Sequence, residues 1–156
     1  MSATIYNTMK LSLKLILLPI LILFNSVVPA TESSSGLEIN QPETLTVVYT
    51  IEPKEVDEKA IQTMVESLVS EAGIEIGQRD DAQLFARVEK HAGEYLIYLD
   101  FNRQLYFQAS GSCYHTKGFV WGRYANNVTD QDEIIEDLAF FVEEFLDQYL
   151  EANKLQ

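Results

Sequence analysis

The sequence predicts an α+β fold, a two-layer sandwich in which a mainly antiparallel sheet of four or five strands carries two helices on one face. Three observations predict this class. Several segments alternate apolar and polar residues, as strands with one buried face do. Two segments repeat apolar residues every three to four positions, as amphipathic helices do. The segments follow one another in the order β-α-β-β-β-α, which implies antiparallel pairing with both helices packed against the same face.

A strand and a helix come first. Residues 44–51 alternate, with every second side chain large and apolar. From residue 54 the spacing becomes helical, with Pro53 at the start and Gly73 just beyond the end as the expected cap. The apolar stripe of this helix comprises Ile61, Met64, Val65, Leu68, Val69 and Ala72.

A series of strands follows. After a short strand near Ile74, residues 83–90 form a strand whose core side is Leu84, Ala86 and Val88. Residues 94–109 keep one parity throughout, which favours a single long strand, with a bulge at residues 102–103 as the alternative. A turn at residues 110–112 leads to a strand over residues 114–124, whose faces stay unassigned because two glycines interrupt the pattern.

The closing segment is a helix over residues 130–153. Thr129 or Asp130 is the expected N-terminal cap, and acidic residues in the first turn suit the helix dipole. The apolar stripe of this helix is wide enough to cover the sheet face that Tyr95, Ile97 and Leu99 begin. It comprises Ile134, Ile135, Leu138, Phe141, Val142, Phe145, Leu146, Tyr149 and Leu150.

The first thirty residues have the pattern of a cleavable export signal. Lys10 and Lys14 precede an almost purely aliphatic run at residues 15–24, and a small-residue cleavage pattern ends at Ala30. An uncleaved membrane anchor is the alternative, but the run is shorter than the roughly 20 residues that span a bilayer. Residues 31–42 are expected to form a flexible leader, and residues 43–156 are expected to form a single domain.

The charge balance is strongly acidic. The chain has 24 acidic and 11 basic residues, and its formal net charge of −13 becomes −15 when Lys10 and Lys14 leave with the signal. Such a surface repels phosphate backbones and anionic lipids, which argues against nucleic-acid binding and against membrane binding after cleavage. Cys113 is the single cysteine, so an intramolecular disulfide is excluded, and burial is its expected state.

Aromatic residues on the outer parity of the strands form the main candidate site. Because the helices leave one sheet face open, these residues are expected to form an exposed surface among polar side chains, suited to protein recognition, self-association or carbohydrate stacking. The alternative is that scattered tyrosines cover an ordinary solvent-facing sheet. The candidate residues are Phe85, Tyr98 and Tyr106, joined from the last strand by either Tyr114 and Tyr124 or Phe119 and Trp121.

Two further positions carry chemistry. Arg103 falls on the apolar parity of its strand, so it predicts an ion pair with a helix carboxylate, a bulge that returns it to solvent, or an anion-binding group. Cys113 and His115 lie two residues apart on one strand, as a thiol-imidazole pair would, but their spacing is not specific. The sequence therefore predicts no metal, no cofactor and no assigned catalytic residue.

Ala72-Gly73-Ile74 follows the first helix, Phe101-Asn102-Arg103 and Trp121 lie among the strands, and the last helix closes with the nine residues 145–153. With these features the layout resembles that of small exported bacterial proteins of unknown function. The resemblance implies export from the bacterial cytoplasm and a role in the cell envelope. It carries no catalytic signature.

Together these observations predict a non-enzymatic envelope protein, periplasmic or secreted, that binds another envelope protein or itself through the open sheet face. One alternative is a small solute-binding protein that uses Arg103 for an anionic group. Another is a thiol or hydrolytic enzyme built on Cys113 and His115. A continuous exposed aromatic face favours the first reading, an Arg103 head group open to a pocket the second, and a cleft that joins the thiol, the imidazole and a carboxylate the third.

Overall fold

The computed structural model describes residues 36–155. In chain order the elements are β1 (Thr44–Ile51), α1 (Glu58–Glu71), β2 (Glu75–Ile76), β3 (Ala82–His91), β4 (Glu94–Ala109), β5 (Ser112–Val128) and α2 (Gln131–Asn153). The predicted signal peptide and the start of the predicted leader lie outside the described residues. Within the described part of the chain, no helix is long and apolar enough to cross a membrane.

The five strands form one sheet in the order β2-β1-β3-β4-β5. β3, β4 and β5 pair antiparallel, as predicted, whereas β1 lies parallel to both of its neighbours. The parallel pairs arise because α1 carries the chain back before it enters β2 and β3, and such a crossover leaves the connected strands pointing the same way. The predicted α+β class is confirmed, and the sheet is mixed.

Both helices bury their apolar stripes on the same face of the sheet. Every residue of the two predicted stripes is buried or packs partly buried against the core. Aromatic rings fill the centre, where the Phe145 ring centroid lies 5.2 Å from that of Phe101, 5.2 Å from that of Trp121 and 5.3 Å from that of Tyr149. The buried Tyr149 hydroxyl donates to the carbonyl of Pro42 (2.8 Å), so this polar group keeps a partner inside the core.

The first helix begins four residues later than predicted. Residues 53–56 form a turn closed by a bond from the Val56 amide to the Pro53 carbonyl (3.1 Å). The Asp57 carboxylate then accepts from the Ala60 amide (3.1 Å) and caps the helix. The predicted end is confirmed, because Gly73 has a φ of +78°, a conformation that glycine adopts without strain.

The second helix is capped by reciprocal hydrogen bonds. The Asp130 carboxylate accepts from the Glu133 amide (3.0 Å), as the sequence predicts for an N-terminal cap. The Glu133 carboxylate reaches back to the Thr129 amide (2.9 Å) and hydroxyl (3.1 Å). These bonds reverse the chain directly after β5, so that α2 returns across the sheet.

Residues 37–42, which the sequence assigns to a flexible leader, pack against the domain. Leu37 is 1% exposed and belongs to the core. The guanidinium of Arg79 connects this segment to the sheet. The hydrogen bond from Arg79 to Asp81 also lowers the pKa of the Asp81 carboxyl. The partners of the guanidinium are the carbonyl oxygens of Asn40 (2.7 Å), Gln41 (2.6 Å) and Thr44 (2.9 Å) and the two carboxylate oxygens of Asp81 (2.7 Å each). The packed part of the chain therefore begins by Leu37.

β4 and β5 form a hairpin that is longer than the rest of the sheet. β4 is one continuous strand of 16 residues, as predicted, and β5 has 17. Ser110 and Gly111 join them with φ values of 52° and 81°, the left-handed pair that a two-residue hairpin turn requires. The pairing between β3 and β4 reaches only as far as Ala82 and Arg103, so the part of the hairpin beyond Arg103 extends past β3.

Candidate functional site

The face of the sheet opposite the helices is called the outer face below. Strand alternation sends every second side chain of β1, β3 and β4 to this face. Pairing across the strands arranges its central side chains in three rows. The rows are Thr50, Arg87, Tyr98 and Tyr124; Val48, Phe85, Asp100 and Gly122; and Thr46, Gln83, Asn102 and Phe119. Three of the predicted surface residues, Phe85, Tyr98 and Tyr124, therefore lie together.

An ion pair occupies the centre of the outer face. A terminal nitrogen of Arg87 lies 2.7 Å from a carboxylate oxygen of Asp100, and the other lies 3.5 Å from Glu89. The same guanidinium lies over the ring of Tyr98, 4.6 Å from the ring centroid. Cation–π stacking and the ion pair hold the guanidinium flat against the sheet. The face thus presents rings around a locally neutralised pair of charges.

A bulge in β5 decides which aromatic residues reach the outer face. Phe101 pairs with Trp121 and Asn102 pairs with Phe119, so Val120 is the extra residue. The bulge predicted as an alternative in β4 therefore lies in its partner strand. It turns Trp121 to the helix side and Phe119 to the outer face, although the two residues are only two positions apart.

Phe119 lies across Gly122 on the outer face. A β-carbon at Gly122 would come within 2.6 Å of the Phe119 ring and 2.7 Å of the Asp100 carboxylate. A side chain at this position would displace the ring or the carboxylate, whereas glycine lets both lie against the strand. Phe119 nevertheless stays 63% exposed, so packing on Gly122 fixes the position of the ring without burying it.

Trp121 belongs to the core, which corrects its predicted place on the exposed surface. It is 8% exposed, packs on Phe145, and its indole N–H donates to the side-chain oxygen of Gln148 (3.0 Å). The Arg123 guanidinium lies 5.1 Å from the indole centroid and forms a bidentate pair with Glu144. The hydrogen bond from Arg123 lowers the pKa of the Glu144 carboxyl.

Tyr114 is exposed, but on the opposite side of the hairpin from the outer face. It pairs with Phe107, and the two rings stack with centroids 5.5 Å apart and planes 19° apart. Tyr106 points to the outer side, where it pairs with His115 and is 73% exposed. The predicted aromatic surface is therefore divided between the outer face, the far side of the hairpin and the core.

The second half of β4, the hairpin turn and the whole of β5 are free of acidic residues. Residues 101–129 contain no aspartate or glutamate, although the chain has 24 acidic residues. Tyr124 is 70% exposed within this stretch, and Asp100 at its border is already paired with Arg87. Interfaces are depleted in acidic residues and enriched in tyrosine, phenylalanine and arginine, so this composition suits contact with another protein.

Arg103 has a different partner from the predicted helix carboxylate. One of its terminal nitrogens donates to the backbone carbonyl of Glu38. Among residues 36–155, no carboxylate of either helix forms an ion pair with Arg103. A cavity of about 300 Å³ adjoins the guanidinium and is lined in part by Glu38, Asp81 and Tyr106. Of the carboxylates on its walls, that of Asp81 is already paired with Arg79.

Cys113 and His115 lie near the tip of the hairpin, and both are exposed, in contrast to the burial expected for Cys113. Asp100 lies six residues along β4 from Tyr106, the partner of His115, a span of about 20 Å. His91 lies in the β3–β4 pairing at the other end of β4. No group of three or more potential metal ligands occurs within the described range. The geometry therefore does not bring the thiol and the imidazole to a carboxylate.

Arg87 and Phe119 complete the outer face; Arg87 is absent from the prediction, which includes Phe119 only as an alternative, together with Trp121. Arg87 has the outer parity of β3, so alternation alone could have found it. Phe119 could not be assigned in that way, because its direction depends on the extra residue at Val120. Gly118 and Gly122 mark an irregular stretch of the strand, but they do not indicate which residue between them is the extra one.

Comparison with known proteins adds little to this description. No family model matches the chain, and no curated protein matches it. Among solved structures, the chain is similar to a minor lipoprotein from Acinetobacter baumannii at 12% identity, with a TM-score of 0.22, over 68% of this chain and 87% of that one. A TM-score this low supports no conclusion about fold or function. The functional reading therefore depends on the residues of the chain itself.

Proposed function

We propose that this protein is exported from a bacterial cytoplasm and acts in the cell envelope as a non-enzymatic module that binds another protein through the outer face. The periplasm is the proposed location, with secretion as the alternative. The export pattern of the first thirty residues supports the location. The absence of a thiol near Ala30, where a lipid anchor would need one, favours a product that leaves the membrane after cleavage.

One observation carries the proposed binding role. Tyr124 and Phe119 are 70% and 63% exposed on the same face, on either side of Gly122. Burying an exposed side chain of this size contributes about 1.5–3 kcal/mol, so each ring is a substantial source of binding energy that the folded chain leaves unused. The flat guanidinium of Arg87 and the ring of Tyr98 extend the same surface with residue types that dominate binding energy at interfaces.

The charges around these rings favour a protein as the partner. Asp100 is the only acidic residue in the three central rows, and Arg87 neutralises its charge. A partner that covers the face would therefore bury a pair of charges that already satisfy each other, and it would meet few unpaired carboxylates. A tyrosine hydroxyl donates and accepts hydrogen bonds and an arginine guanidinium donates them, which suits a surface of mixed polarity.

The test is photo-crosslinking in the intact envelope, with p-benzoylphenylalanine in place of Tyr124. The matched control has the same probe in place of Phe140, an exposed ring (61%) on α2. We expect the probe on the outer face to form one reproducible protein adduct and the probe on the helix to form none. Equal adducts at both positions, or none at either, would overturn the proposal.

A second experiment measures how much the outer face contributes. Phe119→Ser is combined with the probe in place of Tyr124, and Phe140→Ser is the control substitution. Since removing an aromatic hot spot typically costs about 2 kcal/mol of binding energy, we expect the adduct yield at limiting partner to fall at least tenfold with Phe119→Ser. The control should keep the original yield.

A further inference from the structure

The far end of the β4–β5 hairpin is a two-stranded ribbon that lacks a third strand. The last backbone bond to the rest of the sheet on the β4 side runs from the Gln104 amide to the Asp81 carbonyl (2.9 Å). Beyond it, residues 105–116, called the ribbon below, pair only with each other among the described residues. Both edges of the ribbon are therefore open, and residues 106–116 are all exposed. An isolated two-stranded hairpin is only marginally stable in water, so an added strand would stabilise it.

The β5 edge offers the longer regular template. Pairing between β4 and β5 runs without a register shift from Ala109 and Ser112 to Asn102 and Phe119, where the bulge at Val120 interrupts it. Residues 112–119 thus form eight positions of regular edge strand. Proteins usually block such an edge with a proline, a bulge or several charges, and here Lys117 is the only such residue among the eight.

The charge of the chain selects a second copy as the occupant. Residues 105–116 contain no Asp, Glu, Lys or Arg, whereas the chain as a whole has a formal net charge of −13. Two copies repel each other through their acidic surfaces, but the ribbons add no acidic residue to this repulsion, and the one charge in residues 112–119 is the cation Lys117. Phe107 and Tyr114 stack on one face of the ribbon and stay exposed, so these rings would also be available to a second copy.

The length of the ribbon explains how two anionic bodies can be joined. If two β5 edges pair antiparallel over residues 112–119, the folded bodies lie at opposite ends of a segment of seven residue steps, about 23 Å long. The Debye length is about 8 Å at 0.15 M salt and about 30 Å at 0.01 M. Repulsion between the bodies is therefore screened at physiological salt and returns at low salt.

We propose that this protein forms a symmetric dimer in which the β5 edges of two copies pair antiparallel over residues 112–119. This inference goes beyond the proposed function, because it uses the strand edge and not the outer face. The outer face of each copy would remain accessible to a partner. The dimer would present two outer faces in one continuous sheet, so a repeated partner would bind both with increased avidity.

The first test is sedimentation velocity of the exported protein, purified from its host, with two matched substitutions. Thr116→Lys adds a charge to the pairing edge, and Thr63→Lys adds the same charge to the exposed surface of α1. We expect a dimer for the wild type and for Thr63→Lys at 0.15 M salt, and a monomer for Thr116→Lys. The wild-type dimer should dissociate at 0.01 M salt. A monomeric wild type at all concentrations, or an unchanged dimer with Thr116→Lys, would refute the inference.

A second measurement locates the contact. Cys113 is the single, exposed thiol, so one nitroxide label can be attached to the wild-type chain without any substitution. Antiparallel pairing centred within residues 112–119 places the two labels four to six residue steps apart, and we expect a dipolar distance below about 35 Å. A distance above about 50 Å would show that the copies meet elsewhere.

The two proposals fail independently. Tyr124→Ser should leave the dimer intact, because its side chain lies beyond the bulge and outside residues 112–119. Thr116→Lys should leave the photo-adduct of the outer face in place. If dimerisation persists while adducts are absent, the proposed partner binding is wrong and the ribbon inference stands; the reverse result rejects only the ribbon.

Discussion

Replacing Arg79 by glutamine removes the main link between residues 40–44 and the sheet. The guanidinium donates five hydrogen bonds, two to Asp81 and three to backbone carbonyls. Glutamine is too short to reach these partners together, and it has no charge to pair with the carboxylate. We expect the segment from Leu37 to β1 to loosen, while the sheet and the helices stay folded.

The structure sets the size of the effect. The Arg79 side chain is 12% exposed but that of Asp81 is 40% exposed, so solvent limits the ion pair to at most about 1 kcal/mol. The partly buried bond to Thr44 contributes about 1–1.5 kcal/mol, and the two exposed carbonyls regain water and lose about 0.5 kcal/mol each. The free energy of unfolding should therefore fall by about 2–3.5 kcal/mol.

Urea denaturation followed by tryptophan fluorescence measures this loss, because Trp121 is the single tryptophan and lies in the core. Arg123→Gln is the matched control, since it removes another bidentate pair, with Glu144, at a more exposed position. Arg123→Gln should lower the free energy of unfolding by less than about 1 kcal/mol. A loss below about 0.5 kcal/mol for Arg79→Gln, or equal losses for the two variants, would refute the anchoring role.

Three further substitutions test other parts of the structure. Gly122→Ala should lower the free energy of unfolding by about 1–2 kcal/mol in urea titrations, because the new methyl overlaps the Phe119 ring; an unchanged value would mean that the ring moves freely. Burial raises the pKa of Tyr149, so the unfolded chain ionises first and stability falls as pH rises above about 10. The free energy of unfolding of Tyr149→Phe should fall less between pH 9 and about 11.5 than that of the wild type. At neutral pH this variant should lose about 1 kcal/mol of stability, because it lacks the hydrogen bond to Pro42. An identical alkaline fall in both proteins would contradict this assignment. Cys113→Ser should change the free energy of unfolding by less than about 0.5 kcal/mol and leave photo-crosslinking intact, whereas loss of adducts in a folded variant would favour a thiol mechanism.

The sequence predicts the elements and their buried sides well, because both are local. Burial on one side of a strand or helix requires apolar residues at a fixed period, and residues 94–109 show that period over the whole of β4. The same logic identifies the stripes of α1 and α2, the caps at Asp130 and Gly73, and the outer placement of Tyr98. Each of these features depends on residues within a few positions of one another.

The features that the sequence does not predict involve contacts between distant segments. Arg79 is one arginine in a polar stretch, and only the folded chain brings the carbonyls of Asn40 and Thr44 to it. The parallel position of β1 likewise depends on where α1 packs, which no pattern within either element encodes.

The sequence by itself determined the α+β class, the sides of β3 and β4, and the acid-free composition of residues 101–129. Only the tertiary structure decided which rings of β5 are exposed. A single extra residue at Val120 shifts the register, and because side chains alternate, the residues from Trp121 to Ala125 change face, up to the second register shift of this strand pair. Trp121 therefore enters the core and Phe119 reaches the surface.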